Sequence, residues 1–491
     1  MTRPVPILVG IAQLEQRSED PVSAREPISL MQEALTQAAA DAGAAELLQR
    51  ASSLRVIKGF WPYKNPGRFL AQQIGCDDAE SVLTPYGGNF VQTVVNQSAL
   101  DIQSGRQDII LITGAECGYS QARARKRGLS YDKLGWRKIE GTPDRLIGEE
   151  KPMSHPAELA AGIRLPIQYY PMFENALRFA EAESIPAHQS KIAELWSRFS
   201  EIACENPHAW IRQHYDATTI ATPSPENRPV SFPYPKLMNS NNNVDQAAAL
   251  ILCSEDTAIA MGIPEEKWVY PHAGTDAEDH YFVSHRDNLY TSPAIRIAGK
   301  RCLELAATDV GALDFVDLYS CFPVAVEVAA RELNLDLHQP LSVTGGLTFG
   351  GGPLNNYVMH SIARMAELLR QNPAGQGLIT GNGGYLTKHA FGLYSTQRPE
   401  TPFQHQNLQP VVDATPRREV AMDYTGRMEV EAYTVMYGIE GPEQAFLACR
   451  LPDGRRAWGH LQESSVLQEM LSEEACGRQG WLTEEKASLE T

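Results

Sequence analysis

No Cys-x-x-Cys pair and no zinc-type cysteine spacing occurs in the sequence, although it contains eight cysteines. In a long chain, scattered cysteines are typical of reduced core thiols, so we expect neither a disulfide framework nor a metal site. A run of about 18 apolar residues is also lacking, which predicts no membrane-spanning helix. The apolar segment Val5–Ile11 is too short for a signal peptide and is typical of a buried first strand. These absences predict a cytoplasmic protein.

Positive charge is scarce, because 43 Lys and Arg residues face 60 Asp and Glu residues and leave a net charge of −17. Nucleic acid is therefore excluded as an expected partner. A phosphate-containing ligand would need a local basic patch or helix N-termini. No Gly-x-Gly-x-x-Gly fingerprint follows the first strand, which argues against a Rossmann dehydrogenase. The hydrophobic content of 43% is ordinary and allows a core of normal size.

An internal repeat is the most informative feature of the sequence. Residues 87–114 contain a Gly-Gly pair, a long helix pattern and the tag Leu-Ile-Thr-Gly, and residues 351–381 contain the same features in the same order. Upstream, residues 29–57 and 292–320 each combine a helix pattern, an Asp-x-Gly turn and a strand. Two copies of one β-α-β-α-β plan predict a duplicated α/β core with a pseudo-two-fold axis. Strands that alternate with helices also predict mostly parallel sheets.

Four segments follow from this repeat. Residues 1–117 form the first half, residues 118–238 a long insertion, and residues 239–399 the second half. Long insertions in compact folds are commonly functional. Residues 400–491 consist of short strand patterns with Asp453-Gly454 as a hairpin turn, which predicts a small antiparallel β module of the OB-like type. A structural cap or an oligomer contact is the alternative role for this module.

Three motifs of the second half carry a family resemblance. Residues 317–322 read Asp-Leu-Tyr-Ser-Cys-Phe, residues 345–353 read Gly-Gly-Leu-Thr-Phe-Gly-Gly-Gly-Pro, and residues 381–384 read Gly-Asn-Gly-Gly. They resemble, in this order, the His-Asp-Cys-Phe motif, the Gly-Gly-Leu…Gly-His-Pro motif and the C-terminal glycine loop of thiolases of the sterol-carrier-protein branch. With the duplicated plan included, the resemblance covers about residues 5–397.

This resemblance implies a five-layer αβαβα thiolase core with a loop-domain insertion. It implies an acyltransferase of the acetyl-CoA acetyltransferase type that handles acyl-CoA thioesters, as in lipid metabolism. CoA or acyl-CoA is then the expected substrate or ligand, without a tightly bound cofactor, and the chain is expected to be a homodimer or a monomer.

The sequence departs from the family at its reactive positions. Thiolases place a nucleophilic cysteine where the helix after the glycine turn begins, because a helix N-terminus stabilises a thiolate. That position falls at or near Gly88 here, and no cysteine lies within residues 77–116. Gly352 replaces the histidine of Gly-His-Pro and Tyr319 replaces the histidine of His-Asp-Cys-Phe, whereas Cys321 keeps its family type. Condensation through the usual covalent intermediate is therefore not expected.

Four side chains remain as candidate catalytic groups. By the resemblance, Cys321 would act as an acid or base, and Tyr319 would donate a hydrogen bond to an oxyanion. Asn382 and His389 flank the glycine loop, and His389 is the candidate base. Each has a structural alternative, since a cysteine here is often a buried hydrophobe, a tyrosine can simply pack, and a histidine can be solvated.

Ligand binding needs fewer side chains than catalysis, because backbone amides suit a thioester oxygen or a phosphate. The candidate binding residues are Gly87, Gly88, Asn89, Gly351, Gly352, Gly383 and Gly384. A basic cluster in the insertion could meet CoA phosphates or be a solvated loop; it comprises Arg123, Arg125, Lys126 and Arg127. Two functions stay open: an acyl-CoA-handling enzyme without the standard nucleophile, and a non-catalytic CoA-binding or scaffold protein.

Overall fold

The computed structural model of the protein describes residues 3–490. Its strands are β1 (Pro6–Glu15), β2 (Ser53–Val56), β3 (Glu80–Leu83), β4 (Ile109–Cys117), β5 (Arg145–Leu146), β6 (Pro229–Ser231), β7 (Tyr234–Pro235), β8 (Asp245–Ser254), β9 (Tyr270–Glu278), β10 (Phe315–Asp317), β11 (Gln376–Gly383), β12 (Lys388–Ser395), β13 (Gln404–Asn407), β14 (Thr425–Tyr437), β15 (Pro442–Arg450), β16 (Arg456–Leu461), β17 (Gln479–Thr483) and β18 (Lys486–Leu489).

Its α-helices are α1 (Pro27–Asp41), α2 (Pro66–Ile74), α3 (Phe90–Gln103), α4 (Gly118–Lys126), α5 (Pro156–Ala160), α6 (Pro166–Ala180), α7 (Ile185–Glu205), α8 (Ala217–Ala221), α9 (Glu255–Ala260), α10 (Pro293–Leu305), α11 (Pro323–Leu333), α12 (Gly346–Phe349), α13 (Tyr357–Gln371), α14 (Gln409–Asp413) and α15 (Ser464–Met470). No helix in this described range is long and apolar enough to cross a membrane.

Two sheets repeat one topology, which confirms the predicted duplication. The first sheet has the order β1-β8-β4-β2-β3-β5 and the second has the order β10-β11-β12-β9-β13. When β9, β10, β11 and β12 are matched to β1, β2, β4 and β8, both the strand order and the strand directions agree. Such agreement follows from two copies of one folding plan.

Both sheets are mixed rather than mostly parallel. Helical crossovers leave β2, β3 and β4 parallel, as the strand and helix alternation predicts. By contrast, β12 follows β11 through a short turn and must run antiparallel to it, and β8 takes the matching position in the first sheet. The sequence pattern did not reveal these two strand directions.

Helices α3 and α13 form the central layer between the sheets, because each contacts strands of both. Helix α3 is buried on nearly all sides, as a helix in a middle layer must be. Helices α1 and α10 cover the outer faces of the first and second sheets. The five-layer αβαβα arrangement brings the N-terminus of α3 against the carboxyl end of β11, where the candidate site lies.

The C-terminal region folds as a closed β-barrel, in agreement with the predicted β module. Strands β14, β15, β16, β18 and β17 form a ring, because β14 pairs with both β15 and β17. Strand β6 of the insertion attaches to the same β14 through Met436 and Ser231. Strand β13 lies at the edge of the second core sheet, so that sheet extends past residue 400.

Candidate functional site

A cavity of about 590 Å³ opens where the two halves and the insertion meet. The turn before α3 contributes Gly87 and Gly88, and the segment between β10 and α11 contributes Tyr319 and Cys321. The end of β11 and the turn after it contribute Asn382, Gly383 and Gly384. We call this cavity the cleft. The structure thus brings together residues that lie up to about 300 positions apart in the sequence.

Gly88, at or near which the family resemblance places a nucleophilic cysteine, has no room for a side chain. A Cβ atom added there would lie 2.5 Å from the carbonyl oxygen of Asn382 and 2.6 Å from the hydroxyl oxygen of Tyr319. The first obstacle is backbone and cannot move away as a flexible side chain would. The space that a cysteine side chain would need at Gly88 is therefore occupied by atoms of Asn382 and Tyr319.

Gly351 and Gly352 lie behind the cleft wall and do not line the cavity. A Cβ atom on Gly352 would lie 3.1 Å from Asn242 Oδ1, and a Cβ atom on Gly351 would collide with the Gln246 amide. The Gly352 amide already donates to the Asn241 carbonyl at 3.0 Å. This amide is therefore unavailable to a ligand, contrary to the expectation that both glycines offer free amides.

Cys321 lies at the cleft, two residues before α11 begins. Burial raises the pKa of its thiol to about 12, in spite of the hydrogen bonds that would stabilise a thiolate. Its sulfur accepts a contact from Asn382 Nδ2 at 3.9 Å. Cys321 is thus a neutral thiol near pH 7 and a poor nucleophile.

Two polar groups at the cleft have no hydrogen-bond partner among the described residues. The Tyr319 hydroxyl makes no hydrogen bond within residues 3–490, and burial raises its pKa well above the ordinary value, so that it stays a protonated donor. Asn382 Oδ1 is buried without a partner, while its Nδ2 donates to the Tyr170 hydroxyl at 3.0 Å. A donor and an acceptor therefore lie together beside Gly88.

His389, the predicted base, does not line the cleft. It lies opposite Asn382 on the neighbouring strand β12, one strand farther from the cavity, and its Nε2 is 3.5 Å from Asp279 Oδ2. Burial alone would raise the pKa of Asp279, but its interaction with the neighbouring His389 holds it below the ordinary value. His389 instead borders a separate cavity of about 400 Å³. Asn89 borders that cavity too, and its side chain does not cap α3.

Tyr170 of α6 is a cleft residue that the sequence reasoning did not select. Its hydroxyl donates to the Gly384 carbonyl at 3.2 Å and accepts from the Leu386 amide at 2.9 Å. It therefore holds the turn that forms one cleft wall. The only signal was the aromatic Tyr-Tyr-Pro run of the insertion, which does not indicate where the side chain lies.

A second cavity of about 770 Å³ adjoins the cleft, and we call it the groove. The two share the lining residues Phe60, Asn239, Ser240, Asn242 and Leu354. Within the basic cluster, Arg123 pairs with Glu19 and Arg127 pairs with Asp20. Arg125 is an exposed residue that lines the groove and, across the described residues, has no ion pair. The groove thus offers a cation some distance from the cleft.

Comparisons with known proteins agree with this architecture. A family described as "Thiolase-like protein type 1 additional C-terminal domain" matches residues 407–487. A monomeric SCP2-thiolase-like protein type 1 from Mycobacterium smegmatis is 26% identical, with a TM-score of 0.85 and alignment over 100% of both chains.

Two more distant structures share the fold of the core. An Ltp2-ChsH2(DUF35) aldolase is 16% identical with a TM-score of 0.60, over 81% of this chain and 100% of that one. An acetyl-CoA acetyltransferase from Syntrophomonas wolfei is 15% identical with a TM-score of 0.58, over 80% of this chain and 100% of that one. At such identities the likeness shows the thiolase fold alone.

Proposed function

Because this chain is a thiolase-like protein of the SCP2-thiolase type, we propose that it binds an acyl-CoA thioester in the cleft and handles it without a covalent acyl-enzyme. The observation that carries this proposal is the position of Gly88. The space of a nucleophilic side chain is taken by the Asn382 carbonyl and the Tyr319 hydroxyl, yet the cavity beside them stays open. In this proposal the protein has no nucleophilic side chain at Gly88, and the open cavity beside it holds the ligand.

The cleft can hold a thioester through polar groups that have no other partner. The Tyr319 hydroxyl suits the thioester carbonyl oxygen, because a preorganised donor stabilises the partial negative charge there. Asn382 Oδ1 suits a donor of the ligand, such as an amide N–H. The acyl group would lie against the apolar side chains Leu165, Ile167 and Leu347.

The groove supports the CoA part of the proposal. A bound acyl-CoA would pass from the cleft into the groove at Asn239, Ser240 and Asn242, whose polar groups suit the amides of the pantetheine arm. Arg125 and Lys236 at the rim would face the phosphates, which compensates locally for the net charge of −17.

Two functions fit this binding mode, one catalytic and one non-catalytic. Direct acyl transfer from bound acyl-CoA to a second substrate needs no nucleophile of the protein, but it needs a base, and His389 lies outside the cleft. The neutral thiol of Cys321 favours the second candidate, a non-catalytic acyl-CoA-binding protein. Release of free CoA from acetyl-CoA, followed with a thiol reagent, distinguishes transfer or hydrolysis from binding alone.

The proposal is tested by calorimetric titration with CoA and acetyl-CoA together with the intact mass of the protein. We expect saturable binding of both ligands and an unchanged protein mass after incubation with acetyl-CoA. The variant Gly88→Cys is expected to gain no acetyl group either, because its side chain cannot enter the cleft without displacing the Asn382 carbonyl. Overpacking of this kind should lower the free energy of unfolding by about 1–3 kcal/mol.

Gly88→Ala is the matched control, since it adds the same Cβ atom without a thiol. Equal destabilisation of the two variants would show that the effect is steric. An acetyl adduct on wild-type protein, or a stable and acetylated Gly88→Cys variant, would contradict the non-covalent mode. A titration without heat or saturation for either ligand would contradict CoA binding itself.

Tyr319→Phe tests the assigned hydrogen bond. We expect acetyl-CoA to bind roughly 2- to 10-fold more weakly, which is the loss of affinity expected when one neutral hydrogen bond is removed. The affinity for free CoA should not change, because free CoA lacks the thioester carbonyl. Tyr281→Phe is the control, because its hydroxyl donates to the Lys151 carbonyl away from the cleft. Equal loss of affinity for both ligands would assign Tyr319 a packing role only.

A further inference from the structure

A fully buried polar cluster lies where the insertion packs on the second half of the core. It consists of Glu174 on α6, His188 on α7 and Glu327 on α11. Glu174 and His188 are 0% exposed and Glu327 is 3% exposed. None of the three lines the cleft or the groove, so the proposed acyl-CoA binding leaves them unexplained.

The geometry of the cluster is that of a ligand set. One ligand atom from each of the three residues lies within 4.8 Å of the others, and His188 Nε2 is 2.6 Å from Glu174 Oε1. Metal bonds of about 2.0–2.2 Å to imidazole nitrogen and carboxylate oxygen require only small side-chain adjustments from this arrangement. Three helices that are separate in the sequence thus direct nitrogen and oxygen atoms to one point.

Glu327 provides a second, independent observation. Neither of its carboxyl oxygens has a hydrogen bond among the described residues, although the side chain is almost completely buried. Lys191 Nζ lies 3.1 Å from Oε1 and forms an ion pair with it. Buried carboxylates are normally hydrogen-bonded, paired or bound to a metal. Because Oε1 faces Lys191, Oε2 is the oxygen of Glu327 that remains open to a metal ion.

The surroundings orient the cluster as the outer shell of a metal site does. The other ring nitrogen of His188 is 2.6 Å from Glu183 Oε2, and the second oxygen of Glu174 accepts from the Tyr234 hydroxyl. A carboxylate behind a metal-binding histidine fixes its tautomer and orientation. Lys191 also pairs with Glu181 and Glu183, so its single ammonium group is shared by three carboxyl groups.

We propose that Glu174, His188 and Glu327 bind a divalent cation of the Mn²⁺ or Zn²⁺ class. Imidazole with carboxylates suits these ions, and cysteine spacing could not have revealed a site without thiolates. The ion would join α6 and α7 of the insertion to α11, whose first turn follows Cys321. The Tyr234 hydroxyl, which also accepts from the Val324 amide at 3.4 Å, links the cluster to this turn. The proposal is independent of acyl-CoA binding.

The test uses the full chain, treated with a chelator and titrated with MnCl₂. Mn²⁺ is the probe because the cysteine thiols bind it weakly, and the loss of the free-ion signal in electron paramagnetic resonance measures binding. We expect one equivalent of bound Mn²⁺ and a higher Tm with the ion. Glu327→Gln should weaken binding at least 10-fold, whereas Glu194→Gln, an exposed change on α7 with the same loss of charge, should leave it unchanged.

The variant Lys191→Gln distinguishes a metal site from a network of buried charges. It also provides a test if Glu327→Gln does not fold. Removal of a competing ammonium 3.1 Å from Glu327 should tighten Mn²⁺ binding several-fold. If Lys191 is instead the natural counter-charge of Glu327, the variant loses Tm and the ion does not restore it. That result, or less than half an equivalent of Mn²⁺ on the wild-type protein, overturns the proposal.

Discussion

Replacement of Arg456 by methionine is expected to lower the free energy of unfolding by about 3–5 kcal/mol, the usual cost of breaking a buried ion pair from one side. Arg456 lies on barrel strand β16 and is 0% exposed. Its guanidinium binds Glu431 through two hydrogen bonds of 2.8 and 2.6 Å. It also donates to the carbonyls of Val283, Ser284 and Arg286 in the core. One side chain thus joins the barrel to the core, and methionine replaces none of these bonds.

Replacement of Arg456 should also alter the shape of the cleft. Arg286, held by Arg456 through its carbonyl, donates to the Thr387 hydroxyl oxygen at 2.8 Å. Thr387 Oγ1 in turn accepts from the Tyr385 amide at 3.2 Å and so shapes the turn beside Gly384. We therefore expect weaker binding of acetyl-CoA by Arg456→Met, measured by calorimetry under conditions where the variant is folded.

Denaturant unfolding followed by tryptophan fluorescence measures the stability, because Trp458 lies two residues away and donates to the Ser284 hydroxyl. Arg455→Met is the matched control, since its side chain is 41% exposed and its one ion pair among the described residues is with Asp453. If both variants lose the same small amount, Arg456 does not dock the barrel and the link to the cleft is wrong.

Glu116 is expected to make stability fall as the pH rises. It lines the groove, and burial raises its pKa from 4.5 to about 8, although the Phe60 amide donates to one carboxyl oxygen at 2.8 Å. A carboxyl group with a raised pKa in the folded state contributes stability that is fully present below the unfolded pKa. This contribution is lost as the pH rises through the folded pKa. Between pH 5 and 8 the loss should be about 3–4 kcal/mol.

Glu116→Gln should remove this part of the pH dependence, because glutamine stays neutral throughout. The measurement is the free energy of unfolding of both proteins at several pH values, and the informative quantity is their difference. Glu226→Gln, an exposed change at the same groove, controls for the loss of a charge. Parallel pH profiles of wild type and Glu116→Gln would show that Glu116 is ionised at neutral pH.

Ionisation of Glu116 also bears on ligand binding. A neutral carboxyl group keeps the groove from repelling an anionic ligand, so CoA should bind more weakly above pH 8 in the wild-type protein than in Glu116→Gln.

Particular residues show how far the sequence alone could lead. The paired Leu-Ile-Thr-Gly tags at 111–114 and 378–381 predicted the duplicated core, since each tag ends a strand of one half. The family resemblance of their motifs indicated that Gly88, Cys321 and Asn382 are candidate site residues. The C-terminal strands and the Asp453-Gly454 turn predicted the β module.

The sequence therefore determined the architecture and the missing reactive groups, because periodicity, glycine turns and residue identity are local properties. Only the tertiary structure decided that the place of the nucleophile is closed, since the atoms that close it belong to Tyr319 and Asn382 of the other half. It also placed His389 one strand away from the cleft and gathered Glu174, His188 and Glu327 at one point. Contacts between distant segments depend on how helices and sheets pack, and no local pattern encodes the distances that result.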